Sequence, residues 1–217
     1  TKNPIIEFVG LPGAGKSTLM RALRDKLPPV IGPQVPRDRA RRSIGMGFNA
    51  MSLMLSLRPM QLNDLHRLVK LLEAHSFYGT AHDRPVLLEQ GIIQRLWSLL
   101  ADRRSFNDER LQYFIMWLSR VGPEVIVHVR TPHAAVAERI RNRAKGNSRY
   151  ERLAPDELMA KLGPADELYE RLVEYYIRYS HADIIALSGE DTVADNVGKL
   201  AAFLAEVRPG LLQERPR

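Results

Sequence analysis

Gly10-Leu11-Pro12-Gly13-Ala14-Gly15-Lys16-Ser17 is the stretch on which the reading of this chain turns. It fits G-x-x-x-x-G-K-[ST], a loop that cradles phosphates. Its flanks supply the context the pattern needs. Ile5, Ile6, Phe8 and Val9 precede it as a short apolar run that reads as a buried strand. Thr18 to Leu27 follow, with Leu19, Leu23 and Leu27 at helical spacing. Strand, glycine loop and helix, in that order, separate a phosphate loop from a chance run of glycines.

Physical chemistry accounts for the residue types. Glycines at 10, 13 and 15 let the backbone turn tightly and come close to a polyanion with no Cβ in the way. The amides of Gly10, Gly13, Ala14, Gly15, Lys16, Ser17 and Thr18 then form an anion-binding nest. The helix beginning beside them adds its positive dipole end. Lys16 is placed to reach the β- and γ-phosphates, and the Ser17 hydroxyl to hold Mg²⁺. ATP with Mg²⁺ is the expected ligand. GTP specificity is not expected, because the chain has no Asn-Lys-x-Asp and no Asp-x-x-Gly after its second strand.

Composition narrows the class. A chain of 217 residues, 45% of them hydrophobic, is long and apolar enough for one domain with a substantial core. Without cysteine there are no disulfides, thiolate metal sites or cysteine nucleophiles, which fits a reducing, cytoplasmic location. No apolar run approaches the length of a membrane span, so no membrane partner is expected. The first apolar stretch reads as a strand rather than a signal peptide. The net charge of +7 suits either a nucleic-acid surface or an enzyme that handles ATP and a phosphorylated acceptor. The placing of the arginines favours the enzyme, with nucleic acid the less expected partner.

Along the chain, Pro28-Pro29 ends the first helix, and Val30-Ile31 with Val35 form a candidate second strand. Arg37 to Arg58 reads as a helix whose first turns carry Arg37, Asp38, Arg39 and Arg42. These are either a solvated basic face or an acceptor clamp, with Asp38 a candidate base. A helix over 61–79 completes an acceptor region of about 37–82. Pro85 to Glu89 is the next strand. Glu89, at its carboxyl end, can hold Mg²⁺ through water, accept a proton from an acceptor hydroxyl, or simply make a salt bridge. Helices follow over 92–103 and 107–120, then the strand Val125 to Val129, in which His128 reads as a satisfied interior histidine. Thr131 is expected to cap a helix with Pro132 at its first position. A polar lid is expected over about 143–155. A helix from Pro155 is expected to break at Gly163 and restart at Pro164. A last strand, Ile184 to Leu187, and a helix from Asp191 or Thr192 end the single domain, 1–217. Nearly continuous apolar strands alternating with helices argue for a parallel sheet covered on both faces.

The order and detail of these segments resemble the thymidylate kinases and, more widely, the nucleoside-monophosphate and deoxynucleoside kinases. Three segments carry the resemblance: the loop Gly10 to Thr18, the strand–helix pair Val125 to Arg143, and Arg149-Tyr150-Glu151 followed by Asp166-Glu167-Leu168-Tyr169-Glu170-Arg171-Leu172. The resemblance implies a three-layer α/β P-loop NTPase fold with five parallel strands, and ATP·Mg²⁺ as phosphoryl donor. It implies Arg139 beside the adenine, Ser188 and Gly189 at the adenine edge, and Arg143 and Arg149 as lid arginines closing on the transferring group. Phosphoryl transfer needs positioning and charge neutralisation above all, and arginine's planar fork suits both. The chain departs from the family at Glu89-Gln90, where an acidic residue followed by arginine is common. Gln90 offers hydrogen bonds to an acceptor but no charge.

The expected activity is transfer of the γ-phosphoryl of ATP·Mg²⁺ to a hydroxyl or phosphate of a small acceptor, nucleoside- or nucleotide-like or another metabolite. Lys16, Arg143 and Arg149 would stabilise charge, and Ser17 and Glu89 would serve the metal. Arg37, Arg39, Arg42 and Gln90 would line the acceptor side, with Glu89 or Asp38 as base. An ATPase or nucleotide-dependent switch acting on a nucleic acid or protein is the alternative. A homodimer is compatible with either.

Overall fold

The computed structural model describes residues 3–25, 62–79, 82, 84–103, 106–143, 149–209 and 211. Four strands, β1 (Ile5–Val9), β2 (Val86–Leu88), β3 (Val125–Arg130) and β4 (Asp183–Ser188), form an all-parallel sheet in the order β2-β1-β3-β4. The register sets Glu7 between Leu88 of β2 and Ile126 of β3. The strand expected at 30–35 lies outside the described residues, as do Asp38, Arg37, Arg39 and Arg42.

Alternation along the strands divides the core in two. Ile6, Phe8, Val125, Val127 and Val129 face α1 (Lys16–Arg24) and the last helix, α7 (Val193–Val207). Ile5, Val9, Val86, Leu88 and Ile126 face the other layer. There lie α2 (Leu62–Tyr78), α3 (Ile92–Leu100), α4 (Asp108–Leu118), α5 (His133–Arg141) and α6 (Pro155–Tyr179). The β1, β2 and β3 runs are buried almost throughout because helices cover both faces, as an all-parallel sheet requires.

Local chemistry sets the helix ends. The Asn107 side chain accepts a hydrogen bond from the amide of Arg110 and starts α4. Thr192 accepts from the amide of Asp195 and starts α7, as expected. Two expectations are corrected. Pro132, not Thr131, is the residue before α5, and the Thr131 hydroxyl donates instead to the carbonyl of Ala14, 3.1 Å away. A buried threonine next to an unpaired carbonyl gains more from that bond than from capping. The break expected at Gly163 is also absent: α6 runs unbroken through Pro164. Leu158, Leu162, Ala165, Leu168 and Leu172 keep one buried stripe across the proline, and the indole of Trp97 donates to the Ala165 carbonyl at 2.8 Å. Pro164 itself faces solvent, as does Ala160, whose carbonyl the proline leaves without its helical donor. His128 is interior, as expected, but neither ring nitrogen has a hydrogen-bond partner.

Replacing Pro164 with alanine restores a donor in mid-helix without touching the buried stripe. Pro164→Ala is expected to raise stability by about 1–3 kcal/mol in urea unfolding. An unchanged or lower midpoint would show that the proline ring packs usefully where it stands.

Candidate active site

β1 delivers the loop at its carboxyl end, where ligands sit in open parallel sheets. Gly10, Gly13 and Gly15 all have positive φ, at 138°, 93° and 100°. At Gly10 a Cβ would also run into the Val129 carbonyl, so this position needs glycine for both conformation and space. The helix α1 begins at Lys16 with no side-chain cap, as a helix that offers its first amides to an anion does.

Lys16 is 6% exposed. Its Nζ donates to the carbonyls of Gly10 at 2.7 Å and Leu11 at 2.9 Å. The ammonium is thus folded over the loop, at the mouth of the nest. Burial pulls its pKa down to about 8; Glu89 opposes that shift and Arg143 adds to it. The Ser17 hydroxyl donates to Oε1 of Glu89, which stands just past β2 and is half-buried. The loop and the carboxylate that follows β2, 72 residues apart, are thereby joined. A hydroxyl and a carboxylate oxygen suit a hard cation that keeps waters and takes phosphate oxygens as further ligands, the habit of Mg²⁺. Among the described residues there is no cluster of three or more His, Asp or Glu suited to an all-protein metal site.

The Thr131–Ala14 bond straps the loop to the end of β3. Arg139 stands beside it, with Nη2 donating to the Gly189 carbonyl at 2.8 Å and Nη1 3.8 Å from where a Gly15 Cβ would be. Arg139 and Gly189 thus stand side by side next to the loop, with Ser188 adjoining in the chain. The Gly189 amide donates to the Arg130 carbonyl at 2.6 Å, and the Thr131 hydroxyl fills the space a Cβ at 189 would need. Nothing in the sequence pattern singles out Thr131 for this role; a threonine at a strand end is ambiguous until its neighbours are known. A cavity of about 520 Å³ opens beyond it at the carboxyl ends of β3 and β4, with Ser188, His133, Asp166 and Glu170 in its walls.

The remaining predicted residues divide. Arg143 is exposed just past α5 and close enough to act on Lys16. Gln90 is exposed, and its carbonyl accepts from Nε of Arg95 at 2.8 Å. Arg149 does not join the loop residues. Its guanidinium pairs with Asp102 and lies 5.3 Å from the Trp97 ring centre and 5.2 Å from that of Tyr150. Tyr150 is buried and stacks near Trp97, so the Arg149–Arg152 turn is pinned to α3.

The model of the AAA domain family matches residues 5–168. No curated protein matches the sequence. Solved structures match the fold over nearly the whole chain. Deoxyadenosine kinase from M. mycoides, with dCMP and dCDP bound, shares 12% identity at a TM-score of 0.60, over 94% of this chain and 100% of that one. Thymidylate kinase from Candida albicans shares 16% identity at a TM-score of 0.62, over 95% and 93%.

The buried lysine makes a pH prediction. Its folded pKa, about 8, lies below the ordinary 10.5, so the unfolded chain binds more protons between those values. Stability is therefore expected to rise with pH across that window, by on the order of 3 kcal/mol. Lys16→Met should flatten this rise when the two proteins are unfolded in urea at pH 7.5, 9 and 10.5. Parallel curves would place the ammonium in water rather than in the loop.

Proposed function

We propose that this chain, which belongs to the AAA domain family of P-loop proteins, is an ATP-dependent small-molecule kinase. The observation that carries the reading is the Ser17–Glu89 contact beside Lys16. It brings together a hydroxyl, a carboxylate and a buried ammonium at the ends of two adjacent strands, a set that supports a site for a metal-bound polyphosphate. The fold it shares with deoxyadenosine kinase and thymidylate kinase supports a nucleoside- or nucleotide-like acceptor.

Each group has a role that follows from charge and reach. The loop amides and the α1 dipole hold the donor's phosphates. Lys16 neutralises charge on the β- and γ-phosphates, and the cost of its burial in the loop is recovered when an anion joins it. Mg²⁺, held by Ser17 directly and by Glu89 through water, would shield the phosphate oxygens. Arg139 meets the adenine, and Arg143 approaches the transferring group from the lid. An acceptor oxygen forms its bond to the γ-phosphorus as the bond to the β–γ bridging oxygen breaks, and ADP leaves with that electron pair. For a hydroxyl acceptor, Glu89 takes the proton. For a phosphate acceptor, Arg37, Arg39 and Arg42 would supply the charge that Gln90 lacks.

ADP release measured across nucleosides, deoxynucleosides and their monophosphates tests the assignment. At least one acceptor is expected to raise release well above the rate in water. Lys16→Ala is expected to lower that rate at least about a hundredfold with an unchanged circular dichroism spectrum. Transfer at the wild-type rate by a folded Lys16→Ala protein would reject the kinase.

A further inference from the structure

One charged residue interrupts the buried run of β1. Glu7 is fully buried and faces the α2–α6 layer, three residues before the phosphate loop. Its carboxylate reaches the start of α3. Oε1 accepts from the amide of Gln94 at 3.0 Å, and the amides of Ile92 and Ile93 also bond to the group. Oε2 accepts from the Tyr78 hydroxyl at 2.8 Å. The residue before α3 is Gly91, which has no side chain to cap the helix. A Cβ at Gly91 would collide with both Glu7 and Tyr78. The missing cap is thus supplied from another strand, and the glycine exists to let it in. Two residues upstream of Gly91 stands Glu89, the partner of Ser17.

We infer that Glu7 is a positioning residue for phosphoryl transfer: by capping α3 across the sheet it holds the Glu89–Gly91 turn in place against Ser17. This rests on the reading of Ser17 and Glu89 as the metal side of the proposed kinase site. A buried carboxylate is costly, and a neutral isostere would serve packing alone. Burial pushes the Glu7 carboxyl up to about 7, against the pull of the α3 amides and Tyr78. The other titratable groups in its field are Tyr169 and Tyr176 of α6 and Arg95 of α3. Both tyrosines stay neutral, and Arg95 stays charged, across the neutral range, so Glu7 is the group of this set that titrates there. The ionised form is the stronger partner for three helix amides and a phenol. The turn is therefore held more firmly above pH 7 than below it.

The test is calorimetric binding of ATP with Mg²⁺ and with EDTA, at pH 6 and pH 8. Wild type is expected to prefer the magnesium complex, and more so at pH 8. Glu7→Leu should lose about tenfold of that preference, as second-shell changes do, with metal-free ATP binding within about twofold of wild type. Glu7→Gln, which keeps an acceptor oxygen, should retain the preference but lose its pH dependence. Tyr78→Phe removes one donor to Glu7 and should lose about threefold; it decides the matter if Glu7→Leu fails to fold. Wild-type magnesium preference in folded Glu7→Leu, or in Tyr78→Phe where that variant must decide, overturns the inference alone. Wild-type protein that ignores ATP altogether overturns the kinase reading, and this role with it.

Discussion

Everything at the top of the sheet depends on three left-handed glycines within six residues. They turn the chain from the central strand into α1 so sharply that backbone amides, rather than side chains, line the bend. Such a bend is not self-supporting. Thr131 ties it to the end of β3, and Ser17 ties it to Glu89 beside β2. The loop is thus joined to the ends of both strands that flank its own.

Two buried charges flank this bend, and burial moves both towards neutrality. Lys16 is pulled down and Glu7 is pushed up, each because the protein interior solvates charge poorly. Neither arrangement favours stability. Lys16 lies within the loop and Glu7 three residues before it, and perturbed charges of this kind gather at functional sites. Around them the buried strand residues are apolar but for His128 of β3.

How much of this the sequence disclosed depends on how local each signal is. The loop was legible because its chemistry is contiguous: glycines, lysine and serine act where they stand. Strands and helices were legible because apolar periodicity survives without knowledge of neighbours. Glu89 stood out as a carboxylate at a strand end, but its bond to Ser17 spans 72 residues and needed the fold. Arg139 was singled out only by family resemblance, and its bond to the Gly189 carbonyl came from the fold. Thr131 was misread as a cap because its real partner, Ala14, lies 117 residues away. Pro164 was misread because a single buried stripe on α6 outweighs one missing hydrogen bond. Glu7 carries no local signal beyond one charge in an apolar run, and only the folded position of Gly91 gives it meaning. Arg149 shows the limit of resemblance: its motif matches a lid arginine, but here Asp102 and Trp97 hold it.

The unbroken course of α6 has a mechanical consequence. At 1.5 Å per residue, its 25 residues make a rod about 37 Å long. One end follows the Arg149–Arg152 turn and the other leads, within four residues, into the first residue of β4. Trp97 grips it near the middle through the Ala165 carbonyl. Its buried stripe, from Leu158 to Tyr176, seats it along its length, so it acts as a brace that sets the spacing between the Arg149–Arg152 turn and the foot of the strand whose far end carries Ser188.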